Sequence, residues 1–145
     1  MGSPQLAYGF LLYSTNLETK DGSPKIFDTT SLKGLYDVRA EDGRVTCKLR
    51  VDPFRQNRNS TLHGGCIATI VDIVGTAALL THISRGGVSL NINTNYLSAM
   101  PGGGVVLIDA KVSRCLNGTG VKTKIESLEN LTLVLCRFFP LLSGS

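Results

Sequence analysis

Charge is scarce in this 145-residue chain: Asp, Glu, Lys and Arg make up 18% of it, while 42% is hydrophobic. That balance excludes an intrinsically disordered polypeptide and predicts a folded globular protein, of a length that suits one domain. The formal net charge is only +4. No basic run or basic-plus-aromatic cluster occurs, so no nucleic-acid partner is expected, and an anionic small ligand suits the mild charge at least as well. Cysteine is sparse too. Cys47, Cys66, Cys115 and Cys136 form no C-x-x-C pair, which argues against a zinc ribbon or redox dithiol and predicts reduced core thiols in an intracellular protein. No basic stretch followed by an apolar run opens the chain. Leu6 stands where a myristoylation signal needs Ser or Thr, and the ending Ser143-Gly144-Ser145 is no peroxisomal address. Neither a secretory route nor a membrane anchor is expected, and the sequons at Asn59, Asn117 and Asn130 are read as accidental. The expected compartment is the cytoplasm, with mitochondrion or peroxisome as alternatives.

Residues 1–33 read as an irregular N-terminal arm, with a short helix possible over residues 6–13 and turn chemistry at Asp21-Gly22-Ser23-Pro24. Residues 34–39 and 44–51 read as a hairpin around Glu41-Asp42-Gly43, because Val45, Cys47, Leu49 and Val51 alternate with Thr46, Lys48 and Arg50. A polar loop over residues 52–60 leads into the longest apolar segment. Ile67, Ile70, Val71, Val74 and Ala78 fall on one stripe at helical spacing, so residues 65–81 are expected to be a core helix. Its second face carries Gly65, Ala68, Asp72, Gly75 and Thr76, small residues around one carboxylate, a face suited to close approach by another element or subunit. A membrane span is the alternative for so apolar a helix, but Asp72 near its centre makes that costly. After the turn Ser84-Arg85-Gly86-Gly87, residues 88–97 alternate Val88, Leu90, Ile92, Thr94 and Tyr96 with Ser89, Asn91, Asn93 and Asn95, as a strand does. Further strands are expected over residues 105–114, 121–128 and 131–139, with Asn117-Gly118 turning the chain between the first two. Strands, one long helix, then antiparallel strands describe an α+β architecture, a sheet wrapped around a single apolar helix.

Taken one at a time, the polar residues near that helix have plain structural readings. Asp72 suits a surface ion pair, His63 a cap, Asn57 a turn, Ser89 an ordinary strand position, and Gly64-Gly65 an entry into the helix. Their arrangement is more specific. Asn57, the run Thr61-Leu62-His63-Gly64-Gly65, then Ala68-Thr69-Ile70-Val71-Asp72, then Gly87-Val88-Ser89 opening a strand resembles the PaaI-like branch of the hotdog-fold acyl-CoA thioesterases, its eukaryotic and plant members in particular. The resemblance runs from Asn57 to Val112 and more weakly back to Gly34, over a hotdog domain taken as residues 34–145.

That resemblance implies an acyl-CoA thioesterase cleaving a fatty or aryl acyl-CoA. Asp72 would activate water with Ser89 as its hydrogen-bond partner, Asn57 and Gly64 would polarise the carbonyl, and His63 would support the loop. Such chemistry needs a positioned water, a base and donors for the developing oxyanion, and the N–H of Gly64 at a helix start is such a donor. No metal or cofactor is implied, since CoA is part of the substrate. The family's site lies across a homodimer whose subunits join their sheets, usually within a homotetramer. Alternatives are a non-catalytic hotdog protein that binds acyl-CoA, or an inactive variant subunit. From about residue 116 the chain departs from the family pattern: the expected Gly-Arg-His type ending is absent, and Leu131 to Leu142 is an apolar run with the character of an aggregation segment.

Overall fold

The computed structural model describes residues 1–16, 26–84, 88–115, 118–127 and 134–140. Helices α1 (Pro4–Asn16) and α2 (Phe27–Leu32) precede a hairpin of β1 (Tyr36–Glu41) and β2 (Arg44–Arg50). A 3-10 turn at Pro53–Arg55 leads to the long helix α3 (Gly64–His82), followed by β3 (Ser89–Tyr96), β4 (Val105–Cys115), β5 (Gly118–Ser127) and β6 (Val134–Pro140). The strands make one sheet in the order β1-β2-β4-β5-β6-β3, with every pairing antiparallel.

Strand register explains how the sheet receives the helix. Val45 of β2 lies beside Ala110 of β4, which lies beside Thr123 of β5; Cys47, Ile108 and Ile125 form the next row. All six are buried, because residues two apart on each strand point to the same face. Onto this face α3 packs Ile67, Ile70, Val71, Val74 and Ala78, every one buried and in the same core cluster. By length and hydropathy α3 is long enough to cross a bilayer, yet more than half of it is buried inside the protein as a core helix.

The small-residue face of α3 is divided. Gly75 is buried, and a Cβ built there lies 3.5 Å from Thr123 Oγ1 and 3.7 Å from Val121, so β5 of the same chain makes that close approach. Gly65 is exposed, and Ala68, Asp72 and Thr76 are only half-buried.

The segment read as an irregular arm holds two helices among its described residues. Ala7, Leu11 and Ser14 recur at helical spacing and are buried, so tertiary packing on α3 holds a helix whose own pattern is weak. The N–H groups of Gly2 and Ser3 donate to the carbonyls of His82 and Leu80, satisfying acceptors that a helix end leaves open. Gly2 approaches the Ile83 backbone too closely for any Cβ. The turn at residues 21–24, Gly87, Asn117 and residues 131–133 of the last expected strand lie outside the described residues. In the C-terminal part that departs from the family pattern, β6 pairs with β5 on one side and with β3 on the other. Among the described residues, the far edge of β3 carries no partner strand.

Candidate active site

The start of α3 is shaped by His63. Its Nδ1 accepts a hydrogen bond from the Gly65 N–H at 2.9 Å, so the imidazole serves as the N-cap. Its own N–H donates to the Arg55 carbonyl at 2.8 Å, tying the cap to the preceding turn. Gly64 is the first helical residue, and its N–H has no acceptor among the described residues. The Gly64 carbonyl accepts from the Tyr96 hydroxyl at 3.1 Å, and the Tyr96 ring lies 3.6 Å from where a Cβ would stand. An unspent donor at a helix start, beside a residue with no side chain, is a place where a developing negative charge can approach.

One residue short of the middle of α3, the Asp72 carboxylate accepts a hydrogen bond from the Ser89 hydroxyl. Strict alternation would put Ser89 on the outer face with Asn91, Asn93 and Asn95, all exposed or nearly so. A bulge between Ser89 and Ile92 inserts one extra residue into β3 relative to β6, and a one-residue slip turns a side chain to the opposite face. The bulge therefore delivers Ser89 to the helix. As a result β3 runs along α3 in the opposite direction, touching Asp72 at its first residue and Gly64 at its last. Asp28 of α2 adds a second carboxylate to this region: burial, and then the charge of Asp72, push its carboxyl up from the ordinary value.

Asn57 is bound into its own loop. Its Oδ1 accepts from the N–H groups of Asn59 and Thr61, and its Nδ2 donates to Thr61 Oγ1 at 2.9 Å. One amide hydrogen is left over. Within one chain, then, Asp72 and Ser89 come together, and His63 and Gly64 come together, but the two groups are separate. Asp72 lies eight residues along the helix from Gly64, about 12 Å along the axis at 1.5 Å per residue. One thioester cannot reach both.

Arg55, Tyr96, Phe27 and Phe54 were not singled out by the sequence. Arg55 lies in a loop that reads as polar, yet its side chain is 1% exposed. Its guanidinium donates to the carbonyls of Ser31 (2.9 Å), Arg50 (3.1 Å) and Lys33, and to Asp52 Oδ2 (2.7 Å). Burial pulls its pKa down, and Asp52 opposes that shift. The guanidinium thus joins the end of α2, the end of β2 and the loop that bears His63. Beside it a cleft of about 210 Å³, open to solvent, is lined by Phe27, Phe54, Gln56, His63, Gly65 and Cys66 among others. Among the described residues, no cluster of His, Cys, Asp and Glu is arranged to hold a metal.

Residues 59–121 match the model of the thioesterase superfamily, and the fold matches zebrafish thioesterase superfamily member 2 with a TM-score of 0.79 at 24% identity, over 94% of this chain and 95% of that one. This chain has the hotdog fold of the thioesterase superfamily. Another hotdog structure, the PaaI protein of E. coli, aligns with a TM-score of 0.64 at 19% identity, over 72% of this chain and 80% of that one. Human acyl-coenzyme A thioesterase 13 is 41% identical over 76 residues, covering 52% of this chain and 54% of the relative. The chain spans about half the length of the curated relatives it matches. The hotdog helix and sheet carry the Asp72 and Ser89 pair and the Gly64 start of α3, all within the matched segment; Asn57 lies just before it.

Proposed function

We propose that this protein is an acyl-CoA thioesterase, hydrolysing a fatty or aryl acyl-CoA to the free acid and CoA. The observation that carries this reading is the Asp72 carboxylate, half-buried on α3 and tied to Ser89 at the start of β3. The 41% identity to a protein named acyl-coenzyme A thioesterase 13 supports the substrate class.

In the proposed reaction, water held by Asp72 and Ser89 gives a proton to Asp72 as its oxygen bonds to the thioester carbon. The carbonyl oxygen takes up the charge and is held by the Gly64 N–H and the remaining hydrogen of the Asn57 amide. Collapse breaks the C–S bond, and the leaving CoA thiolate takes up the proton. Oxyanion donors act best when fixed beforehand, and here the cap of His63, the bond from Tyr96 and the Asn57 loop fix them.

Because Gly64 and Asp72 are about 12 Å apart in one chain, the working site combines Asp72 and Ser89 of one copy with Asn57, His63 and Gly64 of a second. The edge of β3, without a partner strand among the described residues, is the element that would join two sheets into a homodimer, and two dimers would make the tetramer. No cofactor is used beyond the CoA of the substrate. The cytoplasm is the proposed compartment, in keeping with Cys47 and Cys66, both buried and unbridged.

The experiment is complementation. Asp72→Asn and Asn57→Ala chains, each inactive alone, are co-refolded, and thiol release from acyl-CoA is followed. Mixed dimers contain one intact site, so activity returns to about a quarter of wild type. No recovery from folded mixed dimers would contradict the shared site.

A further inference from the structure

The cleft beside Arg55 opens next to the Gly64 donor, for His63 and Gly65, the residues on either side of it, are both in its wall. Phe27 of α2 and Phe54 of the 3-10 turn stand at its mouth with 68% and 54% of their surface exposed. The Phe54 ring is held there by the Arg55 guanidinium, whose carbon lies 4.3 Å from the ring centroid.

Three of the polar side chains of this wall are engaged elsewhere. Arg55 spends its donors on Ser31, Lys33, Arg50 and Asp52, and Gln56 Nε2 donates to the Val51 carbonyl at 3.0 Å. The Cys66 thiol points to the Ser31 carbonyl. The rings of Phe27 and Phe54 make up the apolar part of the wall, beside Thr30 and the His63 imidazole. Against those rings a hydrocarbon loses no hydrogen bonds, whereas the two amides of the pantetheine arm of CoA would.

We infer that this cleft receives the acyl group of the thioester, and that Phe27 and Phe54 determine which acyl groups are preferred. The inference rests on the thioesterase reading for the position of the carbonyl at Gly64. It gives α2, which lies outside the matched superfamily segment, the task of selecting the substrate. Full burial of one methylene is worth about fourfold in binding; a cleft open on one side yields less, and an acyl chain of eight carbons gains at least about tenfold over acetyl.

Two measurements test it on the full chain. The first is the ratio of kcat/KM for octanoyl-CoA to that for acetyl-CoA, in wild type, Phe27→Ala, Phe54→Ala and, as a remote control, Leu6→Ala on the exposed face of α1. The second is calorimetric binding of two non-hydrolysable thioethers, S-octyl-CoA and S-ethyl-CoA, to the same proteins. The proposal expects both ratios to fall about tenfold in the two Phe variants and to hold in Leu6→Ala. Unchanged ratios in folded Phe variants overturn it and leave the thioesterase reading standing. Absence of thiol release, with a thioether preference that depends on Phe27 and Phe54, overturns the catalytic reading and keeps the cleft as an acyl site.

Discussion

Replacing Arg55 by Met removes the junction between α2, β2 and the His63 loop while keeping most of the side chain's volume. Four hydrogen bonds disappear, three of them to carbonyls of Ser31, Lys33 and Arg50 and one to the Asp52 carboxylate. Two losses are cushioned, since the Ser31 carbonyl also receives the Cys66 thiol and the Arg50 carbonyl also receives the Asp52 N–H. Asp52 is 34% exposed and regains water. The variant also ceases to bury a charge, which favours it. Removing one member of a buried ion pair costs about 3–5 kcal/mol, and these offsets place Arg55→Met near the lower end, about 3 kcal/mol. With a urea m-value of about 1.5 kcal/mol per molar, the unfolding midpoint falls by about 2 M at equal protein concentration. Arg55→Lys keeps the charge but not the fork of donors, so its midpoint lies between the two. A midpoint for Arg55→Met within about 0.3 M of wild type would refute the claim that this guanidinium joins the elements.

Three further outcomes are expected. Burial and the charge of Asp72 raise the pKa of Asp28 in the folded protein above the ordinary carboxylate value, so its ionised form weakens folding above the carboxylate range and the penalty vanishes below it; Asp28→Asn therefore raises the Tm at pH 7 and loses that advantage below the carboxylate range, and an equal gain at both pH values would contradict the electrostatic origin. Burial pushes the Cys47 thiol up to about 12, so it resists a thiol-modifying reagent in the native protein and reacts once denatured, as peptide mapping of Cys47 will show. Tyr96→Phe deletes the bond to the Gly64 carbonyl and lowers kcat by about three- to tenfold with little change in Tm, the scale of one hydrogen bond; an unchanged kcat would remove Tyr96 from the positioning of that glycine.

Where a pattern repeats along the chain, the fold was legible. The stripe Ile67, Ile70, Val71, Val74 and Ala78 marked α3 to within a residue at each end, and the alternation of Asn91, Asn93 and Asn95 marked β3, because both periods report a buried face. The six-residue α2 has no period of its own; Thr29 and Leu32 are buried only because α1, α3 and Arg55 meet there. Arg55 was invisible for the same reason, its carbonyl partners at Ser31 and Lys33 being more than twenty residues away. At the site, the arrangement of Asn57, His63, Gly64, Asp72 and Ser89 carried a resemblance, yet alternation alone would have turned Ser89 outward, and only the bulge in β3 brings it to Asp72. Nor did a polar loop reveal that Asn57 spends most of its amide on Asn59 and Thr61.

The account stands most directly on Asp72. Thiol release from short, long and aromatic acyl-CoAs is to be measured for wild type and Asp72→Asn, with size and circular dichroism matched. Turnover by the wild type that falls by about a hundredfold or more in Asp72→Asn, the scale of a positioned base, is the predicted result. Equal rates in two folded proteins would contradict it.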